Sequence, residues 1–151
     1  MKNIGIAILA VCLGTLGSVA AQAQYGNVNY GPSSLASNTT GYDNSAFGYA
    51  PLALNTTGGD NSAFGGYALH ANTTGSYNTA SGYFSLVNNT TASENTATGS
   101  WSLYENTTGN ENTATGSLSL VYNTTGSYNT ATGSSSLYEK HYRRLQHGCR
   151  L

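Results

Sequence analysis

The side chains that could perform chemistry are few and poorly placed for it. Between positions 38 and 139 the chain has one histidine, His70, and no cysteine, lysine or arginine. Serine and threonine hydroxyls are abundant there, but none has a base at a spacing that would activate it. A Ser-His-Asp arrangement would have to bring His70 to Asp43 or Asp60. His70 stands beside Ala71 at a variable position and reads as a surface residue. His141, His147 and Cys149 form the only cluster of candidate metal ligands, and they share the last dozen residues with Lys140, Arg143, Arg144 and Arg150. Asp43, Asp60, Glu94 and Glu111 recur at one phase of a repeat, but one carboxylate per unit is sparse for a calcium site, which takes about six to eight oxygens. The expectation is a chain that is not an enzyme, with no catalytic site, no metal and no cofactor.

What would position any functional side chain is that repeat. Asn-Thr-Thr begins at Asn38, Asn55, Asn72, Asn89, Asn106 and Asn123, always 17 residues apart. The consensus unit is N-T-T-G-x-x-N-[ST]-A-x-G-x-x-S-L-x-x. Six full units fill residues 38–139, and a degenerate half unit with Asn27, Gly31, Ser34 and Leu35 in phase occupies 24–37. A phase-locked period of this length marks a repeat architecture.

The unit is too short for a helical hairpin, and Thr, Asn, Gly and Ser are poor helix formers. Asn-Thr-Thr-Gly reads as a turn whose Gly at position 4 supplies a positive φ, with Ala92 as the exception in the fourth unit. Gly at position 11 suggests a corner, with two short extended runs in between. Position 9 is always Ala (Ala46, Ala63, Ala80, Ala97, Ala114, Ala131), and position 15 is always Leu (Leu52, Leu69, Leu86, Leu103, Leu120, Leu137). One Ala and one Leu per coil would fill a narrow lumen. Stacked coils would bring identical asparagines at positions 1 and 7 into amide ladders, as in cross-β assemblies. The expected fold is therefore all-β, a parallel β-solenoid or β-roll. A glycosylation role for Asn-Thr-Thr ranks second, because the repeat alone accounts for every copy.

Two surface patterns stand out. Thr96-Ala97-Thr98, Thr113-Ala114-Thr115 and Thr130-Ala131-Thr132 would present two hydroxyls per coil, roughly 7 Å apart along the strand and about 4.8 Å between coils. Such an array resembles an ice-binding face, although Phe47, Phe64 and Ser81 interrupt it in the earlier units. Tyr67, Phe84 and Trp101 occupy position 13, which is expected to share a face with the Leu at 15. Tyr104 and Tyr138 occupy position 16. Trp101 is too large for a narrow lumen, which favours packing between chains.

"GDNSAFG" in units one and two, and "ENTATG" or "YNTATG" in units four to six, resemble the head repeats of trimeric autotransporter adhesins of the YadA type. The resemblance covers residues 38–139 and implies a left-handed parallel β-roll, a homotrimer and a role at the cell surface. The present unit is longer than that family's usual one and one residue shorter between Asn and Ala. The coiled-coil stalk and membrane barrel of such adhesins are not found in this sequence.

The ends differ from the body. Lys2, the apolar stretch from Ile4 to Ala20, and Ala21-Gln22-Ala23 form a signal peptide over residues 1–23, with cleavage marked by Ala21 and Ala23. The stretch is short for a membrane span and is broken by Gly5, Gly14 and Gly17. Without Cys12 only Cys149 remains, so no disulfide can form within the mature chain. Residues 140–151 are aberrant and basic. Lys140 stands where the next Asn should, and one base out of frame, with only synonymous codons chosen, the tail decodes as Asn-Thr-Thr-Gly-Asp-Tyr-Asn-Thr-Ala-Ala-Gly-Tyr. A frameshifted seventh repeat is thus preferred to a basic cap, and the chain is expected to be a truncated form of a longer protein.

A body without cations cannot neutralise phosphates, which argues against nucleic-acid binding. The functional expectation is an exported bacterial surface adhesin head or fibre segment. It would sit at the cell surface, the outer membrane or outside the cell, and contact matrix, glycan or a cell receptor. The alternative is an ice-binding solenoid.

Overall fold

Short hydroxyl-rich triplets with a central alanine suit a pleated strand that buries one side chain and exposes two. The computed structural model describes residues 25–138 and the backbone of 147–149. Positions 8 to 10 of successive coils form β1 (Val28–Tyr30), β2 (Ser45–Phe47), β3 (Ser62–Phe64), β4 (Thr79–Ser81), β5 (Thr96–Thr98), β6 (Thr113–Thr115), β7 (Thr130–Thr132) and β8 (His147–Cys149). They make one eight-stranded sheet in sequence order. Every pair is parallel and offset by one repeat, as in Ala46↔Ala63 and Ala114↔Ala131. Parallel neighbours joined without a helix require the connection to wrap once around and return one strand spacing away. The chain is an all-β parallel β-solenoid with 17-residue coils. The signal-peptide reading, and the tail reading apart from the backbone of 147–149, fall outside the described residues.

The lumen is narrow. Ala46, Ala63, Ala80, Ala97, Ala114 and Ala131 are fully buried, as are Leu52, Leu69, Leu86, Leu103 and Leu120, and Leu137 packs against them partly buried. Beyond the strands, inter-coil hydrogen bonding continues through the turn. The N–H groups of positions 11 and 13 donate back to the preceding coil (Gly65 to Phe47 O, 2.9 Å; Tyr67 to Tyr49 O, 2.8 Å). Those of positions 15 and 17 donate forward (Leu69 to Ser85 O, 3.0 Å; Ala71 to Val87 O, 2.9 Å).

Two expectations need correction. The second extended run is a turn, because positions 13 and 15 are both left-handed: Tyr67 has φ 58° and Leu69 φ 52°, and the same holds in every full coil. Positions 13 and 15 therefore do not share a face. Leu at 15 and the small residue at 14 are buried, while Tyr67, Phe84 and Trp101 at 13 lie half-buried on the outside. The glycines at position 4 do not have positive φ; position 6 does, and so does the corner glycine at position 11, for example Gly82 at 141°. Position 4 is small because of close approach: a Cβ on Gly58 would lie 2.6 Å from Asn55 Oδ1 and collide with the Gly75 carbonyl.

A left-handed conformation costs an ordinary L-residue roughly 1–2 kcal/mol, and more if it is β-branched. None of the positive-φ positions carries Val, Ile or Thr, although Thr is abundant elsewhere in the unit. Leu103, fully buried at φ 50°, separates packing from conformation. Leu103→Met should cost less than about 1.5 kcal/mol in urea unfolding, the usual limit for a volume-conserving core change. Leu103→Ile should exceed that limit. Equal costs for the two would show that φ does not decide the residue type.

Candidate functional site

Periodic stacking turns each repeat position into a column, and the columns divide into those consumed by the fold and those left for solvent. The most thoroughly consumed are the asparagines. At position 1, the side-chain amide Nδ2 donates to the position-4 carbonyl of its own coil (Asn55 to Gly58 O, 2.9 Å; Asn72 to Gly75 O, 2.9 Å). It also donates to Oδ1 of the asparagine one coil before, linking Asn55 to Asn38, Asn72 to Asn55, Asn89 to Asn72, Asn106 to Asn89 and Asn123 to Asn106 at 2.8–3.1 Å. A second ladder at position 7 runs through Asn44, Asn61, Asn78, Asn95, Asn112 and Asn129 at 2.8–3.2 Å. There, each Oδ1 also accepts the backbone N–H of the next asparagine, as Asn61 Oδ1 does from Asn78 N at 3.0 Å.

The two ladders meet at position 4. Gly58 O accepts from both Asn55 and Asn44 at 2.9 Å. The fourth coil, which carries Ala92, is the local exception: Asn95 Nδ2 turns to Ser93 O of its own coil at 3.1 Å. Among the described residues no buried side-chain nitrogen or oxygen lacks a partner. From Asn55 to Asn123 the position-1 amides have both N–H groups engaged within the stack, while Asn38, in the first full coil, donates only to Gly41 O.

The two kinds of threonine differ sharply. At position 2 the hydroxyl is consumed, donating to the position-2 carbonyl of the next coil: Thr39 to Thr56 O at 2.8 Å, Thr56 to Thr73 O at 3.0 Å, Thr73 to Thr90 O at 2.9 Å. At positions 8 and 10 the hydroxyls make no hydrogen bond among the described residues. Thr96, Thr113 and Thr130 align in one column, and Thr98, Thr115 and Thr132 in the other, in strict register. All are exposed except the half-buried Thr96. Ser45, Ser62 and Thr79 extend the first column, but Phe47 and Phe64 close the second as stacked rings 5.3 Å apart.

The aromatic residues at positions 12, 13 and 16 form a continuous strip along the turn side. Tyr67 stacks on Phe84 at 5.1 Å, Phe84 meets Trp101 at 4.9 Å, and Trp101 meets Tyr104 at 4.7 Å. Tyr49 and Tyr83 flank the strip. Burial, reinforced by the neighbouring Tyr49, pushes the Tyr67 hydroxyl above its ordinary pKa. Tyr138 packs separately, edge-on to Tyr122 at 5.2 Å. Trp101 is accommodated outside the lumen, between Phe84 of the preceding coil and Tyr104 of its own.

His70 does not face a serine or a carboxylate. Its Nδ1 lies 3.0 Å from the Ala50 carbonyl, and its ring meets Tyr67 edge-on at 5.3 Å, so it is half-buried and tied down rather than a free surface group. The acidic column at position 6 is broken by Tyr77 and Tyr128 into the pairs Asp43–Asp60 and Glu94–Glu111. The Asp60 charge, and then Tyr42, raise the pKa of the Tyr77 hydroxyl. Among the described residues no group of His, Cys, Asp and Glu could hold a metal ion.

The sequence reasoning missed the position-2 hydroxyls and a further column at position 5. In that column a Ser or Asn side chain accepts the N–H of the preceding coil, as Ser76 Oγ does from Gly59 N at 3.1 Å and Asn110 Oδ1 from Ser93 N at 2.8 Å. The period alone could have flagged both, since each position favours a short polar side chain. What the site defines is a β-solenoid that satisfies its interior with side-chain ladders and leaves hydroxyls and aromatic rings outside. No family model, curated protein or solved structure matches this chain.

The amide ladders give a direct test. Asn72→Ala leaves Asn55 Oδ1 without its donor, takes one of two donors from Gly75 O and removes the acceptor of Asn89 Nδ2, and should cost about 2 kcal/mol or more. Asn72→Asp adds a buried charge and should cost more still. Asn110→Asp, exposed and still an acceptor, should stay within about 0.5 kcal/mol. Thermal melts that rank the three otherwise would contradict the ladder account.

Proposed function

We propose that the chain is an exported bacterial surface protein whose repeat domain serves as an adhesin head or fibre segment, and that it binds rather than catalyses. The observation that carries this reading is the one-repeat register of successive strands. It presents every outward position as a column, so weak contacts with a repetitive partner act together. The aromatic strip and the absence of Lys and Arg from the body favour matrix, glycan or a cell-surface receptor over nucleic acid. The resemblance to trimeric adhesin heads supports a homotrimer at the cell surface, with the ring edges of the strip facing a neighbouring chain. Light scattering should then give three times the chain mass, and the protein should be retained on matrix proteins, glycans or cells. A monomer that binds none of these would end the adhesin reading.

One observation favours a second reading, an ice-binding solenoid. The hydroxyls of Thr96, Thr98, Thr113, Thr115, Thr130 and Thr132 are held in register on one sheet and have no partner within the described chain, so they are free to order water. This reading expects thermal hysteresis from the soluble protein and its loss in Thr113→Leu/Thr115→Leu, with the melting temperature little changed. Absence of hysteresis in the unaltered protein would remove it.

A further inference from the structure

The first two full units break the pattern of position 5, and they do so together. In the four later units that position is Ser or Asn, and its side chain accepts an N–H of the coil before. Gly59 N donates to Ser76 Oγ at 3.1 Å, Ser76 N to Ser93 Oγ at 3.0 Å, Ser93 N to Asn110 Oδ1 at 2.8 Å and Asn110 N to Ser127 Oγ at 3.0 Å. The first unit has Tyr42 there and the second Gly59. Gly59 does not have a positive φ, so conformation does not call for a glycine. A Cβ on Gly59 would lie 2.8 Å from Tyr42 Cζ, 2.9 Å from Cε1 and 3.1 Å from Cε2. Distances so nearly equal put that Cβ over the face of the ring, because an approach in the ring plane would leave a Cε well beyond Cζ. Tyr42 therefore lies face-down on the backbone of the next coil, in the space a side chain would fill, and Gly59 is buried beneath it.

This ring differs from the aromatic strip in what it leaves outside. In the strip, Tyr67, Phe84 and Trp101 cover one another. Tyr42 is 44% exposed and makes no ring contact among the described residues, so its outer face is open. Polar groups gather beside it. The Asp60 charge and then Tyr42 act on the Tyr77 hydroxyl, which brings side chains of three successive coils together. Tyr77 is itself exposed and, with Glu94, lines an open hollow of about 490 Å³, within the size range of small-molecule sites.

We propose that Tyr42, Asp60 and Tyr77 form a binding site for a neutral sugar residue of a glycan. The face of an aromatic ring carries partial negative charge and attracts the polarised C–H bonds on the flat side of a pyranose. The Asp60 carboxylate accepts from the sugar hydroxyls, and the Tyr77 hydroxyl can donate or accept. No Lys or Arg stands between positions 38 and 139, and Asp43 and Glu94 share the column of Asp60, so a sialylated or uronic glycan is repelled. The proposal rests on the glycan partner of the adhesin reading. It adds the place of contact on the rod and the charge class of the sugar.

The test uses Tyr42→Ser and Gly59→Ser in the full chain, each of which installs the commonest residue of position 5. The first removes the ring, and the second keeps it but lifts it off the backbone. Each protein is titrated by calorimetry with maltohexaose, cellohexaose and chitohexaose, and with sialyllactose as the acidic control. The unaltered protein should bind at least one neutral oligomer and not sialyllactose. Both serine variants should bind that oligomer about tenfold more weakly or worse, with little change in melting temperature. Tyr42→Phe keeps the ring face and should retain most of the affinity. Full affinity in both serine variants would overturn the site while leaving glycan binding, and the adhesin reading, in place. Failure to bind any neutral oligomer, or preference for sialyllactose, would also overturn it, and the adhesin reading would then stand on retention by matrix or cells alone.

Discussion

The structure depends on hydrogen bonding between coils. Three non-glycine residues in every full coil adopt left-handed conformations, a local cost of roughly 1–2 kcal/mol each that a lone 17-residue segment could not sustain. Each coil recovers that cost from the next, through backbone bonds that run well beyond the three strand residues and through two buried amide ladders. Stability is therefore a property of neighbouring pairs of coils, as expected of a quasi-one-dimensional repeat protein.

That dependence explains the residue choices better than core volume does. Among the described residues the apolar core cluster is built of alanine and leucine alone, too little apolar surface for an ordinary domain core. Asparagine does the remaining work because its side chain has a donor pair and an acceptor that can point along the stack, so a column of identical residues satisfies itself. Asp or Glu would leave adjacent acceptors facing each other. Ala92 in place of glycine keeps both amide donors on its carbonyl, and the one amide that takes another partner is Asn95. The interior columns are nearly uniform, and the outer columns carry the differences among units.

Those outer columns separate along the rod. Aromatic rings dominate the early coils and stack on one another along the axis. Free threonine hydroxyls dominate the later coils, on the strand face. The same residue type is structural at position 2 and unengaged at positions 8 and 10, a distinction set by whether the hydroxyl can reach a carbonyl one coil away.

The sequence by itself determined the solenoid class and the 17-residue period, because exact recurrence without insertion admits one geometry: each unit must return to the same place, one strand spacing on. It also singled out the residue types that recur without exception, Ala at 9 and Leu at 15. It could not reveal that positions 13 and 15 are left-handed, because Leu and Tyr carry no local signature of that conformation, and the stack imposes it. Nor could it separate the two reasons for a glycine. Those at position 4 yield to a carbonyl shared by two asparagines, whereas those at position 11 supply a positive φ, and both look alike in a consensus. The contact made by Asn29 was equally hidden, since a polar residue in place of alanine reads as degeneracy. Only the folded coil brings its amide to the carbonyl and hydroxyl of Ser34, a contact that depends on the turn between them.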